Sequence, residues 1–141
     1  MNKNKKFTVG GLFSGVGGIE LGFERAGFDI KWANEIDENA CKTYRLNHPN
    51  HNLIEKNIYE IKPNNELESV DVLVGGFPCQ AFSIAGYRKG FKDPRGNLFY
   101  EIARFIDELK TKPKVLLLEN VKNLSGHDKG KTKNAIVKIL R

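Results

Sequence analysis

Short apolar runs rich in β-branched residues alternate with helix-period stretches along this chain, and that alternation restricts its fold more than any other feature. The runs are FTVGGLF (residues 7–13), DIKWANE (29–35), NLIEKNI (52–58), VDVLVGG (70–76) and KVLLLENV (114–121). Between them lie amphipathic stretches. IELGFERAG places Ile19, Leu21, Phe23 and Ala26 at roughly helical spacing, with Gly27 as the stop. ENACKTYRLNH has Asp37 as its cap and Pro49 as its end. Residues 95–110 carry the stripe Leu98, Ile102, Phe105, Ile106 and Leu109. KPNNELES reads as polar linker, and NAIVKILR begins a last helix. Strands alternating with helices predict an α/β fold, a mostly parallel sheet with helices on both faces. KVLLLENV, nearly all apolar, reads as a central parallel strand. A chain of 141 residues suits one domain.

In such sheets ligands bind beyond the carboxyl ends of the strands. Residues 14–18, Glu35, Asn57, residues 76–79 and Glu119 with Asn120 each follow a strand, so the fold gathers them along one rim. In FSGVGG, Gly15, Gly17 and Gly18 permit a tight turn and close approach of a ligand. A dinucleotide fingerprint requires glycine where Glu20 stands, and a negative charge at this helix start disfavours a pyrophosphate. A nucleoside cofactor without phosphates fits better than an oxidoreductase dinucleotide. Glu35, twenty residues beyond Gly15, is placed to accept hydrogen bonds from ribose hydroxyls.

Cys79 stands in GGFPCQ, where Gly75 and Gly76 break the strand and Pro78 fixes the backbone ahead of the thiol. A cysteine in such a turn serves as a nucleophile when its thiolate is stabilised, and Arg88, Lys89 and Lys92 supply positive potential nearby in sequence. No histidine stands close, so a protease-like pair is not signalled. Glu119, closing KVLLL, is expected in a partly apolar setting suited to holding a proton near neutral pH.

The net charge is +6, which fits a polyanion partner and equally a lysine-rich solvated surface. The two cysteines, Cys41 and Cys79, show no disulfide or zinc spacing, and a reduced cytoplasmic setting follows. MNKNKK precedes no apolar segment, and no run approaches the roughly 18 apolar residues of a membrane span.

Four stretches in order, LFSGVGGIELGFERAGF, NEIDENACKTYRLNH, GGFPCQAFSIAGYRKGFKDPRGNLFYEIARFI and LLLENVKNLSGHDKG, strongly resemble the DNA cytosine-5 methyltransferases of the bacterial restriction–modification type. They cover most of residues 7–130. The resemblance implies a Rossmann-like fold that binds S-adenosyl-L-methionine, and transfer of its methyl group to C5 of cytosine in double-stranded DNA. It implies catalytic roles for Cys79, attacking C6 of a flipped-out base, and for Glu119, contacting N3 and the exocyclic amine. It assigns Phe13, Ser14, Gly15, Gly17 and Gly18 to the methionine part of the cofactor and Glu35 to the ribose. Ile36, Asn57 and Ile58 go to the adenine, with Pro78 and Leu98 lining the same pocket. Residues 81–94 match a loop that closes over DNA, with Ser83, Arg88, Lys89 and Arg95 as DNA contacts.

Two departures accompany the resemblance. Asn57 replaces the family's usual aspartate, from which weaker but retained adenine binding is expected. The family also continues with an arginine-bearing catalytic strand, a target-recognition domain and a final helix. Residues 1–141 are therefore expected to be the N-terminal part of the catalytic domain, C-terminally incomplete. Three alternatives remain open: a non-catalytic fragment, one subunit of a split enzyme completed by a second polypeptide, and a cytosine-5 methyltransferase acting on RNA. The expected location is cytoplasmic, at the nucleoid if the source is bacterial.

Overall fold

The computed structural model describes residues 6–77 and 98–140. The strands are β1 (Thr8–Leu12), β2 (Asp29–Asn34), β3 (Leu53–Ile54), β4 (Val72–Gly75) and β5 (Val115–Leu118). The helices are α1 (Gly18–Arg25), α2 (Glu38–Asn47), α3 (Pro63–Glu66), α4 (Leu98–Glu108), α5 (Asn123–Gly126) and α6 (Lys131–Ile139), with 3-10 turns at Ile58–Glu60 and His127–Gly130. All strand pairs are parallel, in the order β3-β2-β1-β4-β5. The order reverses between β1 and β4, which makes the ends of these two strands the topological switch point of the sheet.

Both faces of the sheet are covered, as the alternation requires. On one face Leu12, Trp32 and Leu73 pack with Phe99, Ile102 and Phe105 of α4 and Ile136 of α6. On the other, Val9, Val72 and Val74 meet Ile19 and Phe23 of α1, and Ala33 and Leu53 meet Cys41 and Tyr44 of α2. Burial pushes the Cys41 thiol up from its ordinary range, so this cysteine is a packing residue. The glycine at position 10 is required by packing: a Cβ there would lie 2.3 Å from the indole of Trp32. Trp32 is fully buried and donates its indole N–H to the Glu68 carbonyl.

One expectation is corrected. KPNNELES is not plain linker. Pro63 opens α3, Glu66 reaches back to accept from the Lys62 N–H, and Leu67 is buried. Pro at the first helical position costs no hydrogen bond, which is why this polar stretch coils. β5 ends the strand order among the described residues, and its outward side chains Val115 and Leu117 are 53% and 43% exposed. Leu116 and Leu118 turn toward the core. No helix among the described residues is long and apolar enough to cross a membrane.

Asp71 joins three strands at their amino ends. Its carboxylate accepts from the Thr8 N–H and hydroxyl and from Lys114, and its carbonyl accepts from the N–H groups of Lys114 and Val115. The Lys114 hydrogen bond, followed by those from Thr8, holds the carboxyl down at about 2. A depressed acid contributes stability above its unfolded value, here near 3.8, and that contribution is lost as pH falls toward 2. Asp71→Asn is therefore expected to lower the urea midpoint at pH 7 and to remove part of the acid-induced loss between about pH 4 and 2. Parallel midpoint-versus-pH curves for the two proteins would contradict this role.

Candidate active site

A cleft of about 390 Å³ opens at the carboxyl ends of β1, β2 and β4, at the switch point. Its lining includes Phe13, Glu35, Ile36, Asn57, Ile58 and Leu98. Its size falls in the range of about 300–1,000 Å³ usual for small-molecule sites.

The backbone shapes the cleft through Glu35. Its Oε2 accepts from the Gly15 N–H at 2.7 Å, and its Oε1 accepts from the N–H groups of Ile36 and Asp37 at 2.8 and 2.9 Å. The carboxylate thus ties the glycine turn after β1 to the turn after β2. Three of its roughly four lone-pair positions are taken, and the rest are left for a ligand. Ile36 is 64% exposed, an apolar side chain held at the cleft wall. Asp37 caps α2, accepting from the Ala40 N–H at 2.8 Å.

On the opposite wall, Asn57 Oδ1 accepts from the Tyr59 N–H and starts a 3-10 turn that buries Ile58. Two residues that sequence reasoning missed hold this wall. Asn34, buried at the end of β2, donates through Nδ2 to the carbonyls of Ile54 and Lys56, both at 2.9 Å. Arg104 of α4 donates to the carbonyls of Ile58 and Ile61 while paired with Glu101 and Glu108. A polar residue directly after the apolar pair Trp32 and Ala33, at the end of β2, was the available signal for Asn34. Arg104 gave none, because its partners are backbone carbonyls more than forty residues away.

Beyond β4 and β5 a second group gathers. The Glu119 N–H donates to the Gly75 carbonyl, and Asn120 Nδ2 donates to the Phe77 carbonyl at 3.0 Å. The Glu119 carboxylate lies over Gly76, 3.2 Å from where a Cβ would stand. Glu119 therefore sits beside the segment that leads into Pro78 and Cys79. Its setting differs from the apolar one expected, because it is exposed, one residue past β5. Pro78, Cys79, Ser83, Arg88, Lys89 and Arg95 lie outside the described residues.

A profile of the C-5 cytosine-specific DNA methylases matches residues 7–141. The chain belongs to this family. It is 49% identical over 137 residues to the type II methyltransferase M.Eco47II of Escherichia coli, a match covering 97% of this chain and 32% of that protein. It is 52% identical over 134 residues to the type II methyltransferase M.Bsp6I of Bacillus sp. (strain RFL6), covering 94% and 41% respectively. The Entamoeba histolytica methyltransferase EhMeth matches in structure with a TM-score of 0.75 at 24% identity, over 97% of this chain and 44% of that one, which is a likeness of fold. The chain spans about a third to two fifths of these curated relatives' length.

In this cytosine-5 methylase chain, the glycine-turn residues Ser14, Gly15, Gly17 and Gly18 adjoin the cleft through the Gly15–Glu35 bond rather than lining it. Phe13 takes a left-handed backbone, φ 54°, an arrangement costly for a side-chain-bearing residue and confined to places the surroundings dictate. Glu20 faces inward: it is 1% exposed, and burial raises its carboxyl above the usual range. It is not offered to a ligand at the helix start, although its charge entered the sequence argument there.

Gly17 combines φ 88° with a close approach, since a Cβ would stand 2.5 Å from His48 Nε2 and 2.9 Å from the Tyr44 ring. Gly18 has open space around its missing Cβ. Gly17→Ala is expected to cost about 2–4 kcal/mol, from backbone strain and overpacking together. Gly18→Ala, at the first turn of α1, should change stability by no more than about 0.5 kcal/mol. Denaturant midpoints separate the two, and equal effects would refute this account of the turn.

Proposed function

We propose that the chain is the cofactor-binding and nucleophile-bearing part of a DNA cytosine-5 methyltransferase, with S-adenosyl-L-methionine as donor and double-stranded DNA as substrate. The observation that carries this is the cleft. The fold brings Phe13, Glu35, Ile36, Asn57, Ile58 and Leu98, drawn from four separate stretches of sequence, around one cavity of suitable size. The residue chemistry fits a nucleoside: an acid for ribose hydroxyls, an apolar side chain and a buried isoleucine for a ring face, and an amide for its edge. When bound, S-adenosylmethionine supplies an electrophilic methyl group.

The protein residues do the rest. Glu35 orients the ribose while holding the glycine turn in place. Ile36 packs against the adenine, and Asn57 meets the adenine edge. Cys79, as thiolate, bonds to C6 of an extruded cytosine and pushes electron density onto C5. Glu119, whose carboxylate lies over Gly76, contacts N3 and the exocyclic amine and steadies the charge that builds in the ring. Once C5 carries the methyl group, a water molecule takes the C5 proton and the S–C6 bond breaks, its electron pair returning to sulfur and regenerating the thiolate. Ser83, Arg88, Lys89 and Arg95 hold the DNA backbone, consistent with the net charge of +6. The relatives named above are type II methyltransferases of which this chain covers a minor share, so residues 1–141 supply one part of that machinery.

The test is to map S-adenosylhomocysteine onto the 141-residue chain by amide chemical shifts, a readout that registers even millimolar binding. Saturating shifts are expected at Gly15, Ile36, Asn57 and Leu98. Shifts concentrated instead around α3 and the end of α4, or none at all, would overturn the placement.

A further inference from the structure

Apart from the cleft, Glu24, His48 and His51 converge beside the glycine turn. Each offers one donor atom, and the three atoms lie within 4.8 Å of one another. Glu24 Oε1 is 3.3 Å from His51 Nε2, and Glu24 Oε2 is 4.0 Å from His48 Nδ1. The geometry points to a divalent transition-metal site, Zn²⁺ being the best match, made by the last turn of α1, the carboxyl end of α2 and the turn that follows.

The donor set favours this metal class. Two imidazoles and one carboxylate suit zinc, whereas magnesium and calcium seek several oxygens. The edge of a zinc tetrahedron is about 3.3 Å for bonds near 2.0–2.1 Å. The Glu24–His51 separation already meets it, and the other two close on it by a modest contraction. The imidazole rings now stack at 4.8 Å and 13°, so one of them turns about χ2 to aim its lone pair at a shared ion.

The surroundings match those of a metal centre. His51 Nδ1 is 3.0 Å from the Tyr44 hydroxyl. With Nε2 on a metal, Nδ1–H donates to that phenol, the second hydrogen bond that metal-bound imidazoles habitually make. Glu20 Oε2 is buried with no hydrogen-bond partner among the described residues. A bound dication would be balanced by Glu24 directly and by Glu20 at one remove. Glu24 is half exposed and gives the ion a way in, while His48 is buried with Nε2 against Gly17. An ion here would pin α1 and α2 to the glycine turn, a structural role independent of the proposed methyl transfer.

The experiment is calorimetric titration of Zn²⁺ into the untagged 141-residue chain carrying Cys79→Ser, so that this thiol does not compete, with Co²⁺ absorption reporting coordination geometry. One ion per chain is expected, with a tetrahedral cobalt spectrum, a melting temperature that rises with Zn²⁺, and no displacement by excess Mg²⁺. Glu24→Ala and His51→Ala should each weaken binding at least tenfold, and Tyr44→Phe about tenfold through the outer hydrogen bond. His127→Ala, remote in sequence, should leave it unchanged. Absence of saturable binding, affinity unaltered in both Glu24→Ala and His51→Ala, or loss in His127→Ala equal to theirs would overturn the site.

Discussion

Glu35→Ala is expected to weaken S-adenosylmethionine binding at least tenfold and to lower the stability of the free protein by about 1–3 kcal/mol. The two effects have separate origins. The stability loss comes from the N–H groups of Gly15, Ile36 and Asp37, which together lose their acceptor. Hydrogen bonds to a charged group are worth about 1.5–3 kcal/mol, and at a partly exposed rim water replaces some of that. The binding loss comes from the lone-pair position left for the ribose and from a glycine turn no longer anchored. Glu35→Gln should fall between, because an amide keeps one acceptor oxygen but presents a donor to backbone N–H groups. Affinity measured by calorimetry, under conditions where denaturant curves show each variant fully folded, isolates the binding effect. An unchanged affinity in Glu35→Ala would remove the ribose role and leave Glu35 as a structural latch.

The latch shows what was legible in the sequence and what was not. Each strand was readable because its apolar run is local, and the rim followed because parallel strands put their carboxyl ends on one side. Glu35 was identifiable by its place after β2, twenty residues beyond Gly15. Its three backbone partners were not, since a hydrogen bond between two turns depends on how those turns are set, which no local pattern encodes. Arg104 was invisible for the same reason. Glu20 illustrates a further limit: a charge near a helix start reads as surface, yet Gly11 leaves room for it underneath the turn, where a Cβ would lie 2.0 Å from Oε1. The family resemblance, resting on contiguous motifs, needed none of this three-dimensional information.

Cys79→Ser is expected to abolish methyl transfer while leaving cofactor binding intact. A serine hydroxyl is far harder to ionise near neutral pH than a thiol, so the bond to C6 does not form and C5 never becomes nucleophilic. The loss should be at least a thousandfold, since the covalent step creates the reacting carbon rather than assisting it. Because this chain covers 32% of the Escherichia coli relative, activity is to be measured on the 141 residues joined to the remaining C-terminal part of that protein. Retained cofactor affinity in the variant distinguishes a missing nucleophile from a damaged fold.

The most direct test uses that same fusion with duplex DNA containing 5-fluorocytosine and S-adenosylmethionine. Fluorine at C5 cannot leave as the proton does, so the enzyme stays bonded to C6 after methyl transfer. The predicted result is a denaturation-resistant protein–DNA adduct that carries the transferred methyl group and maps by mass spectrometry to the peptide containing Cys79. It should be absent from Cys79→Ser. An adduct on another residue, an adduct that persists in the serine variant, or trapping by fluorocytosine-bearing transfer RNA but not by DNA would contradict the assignment.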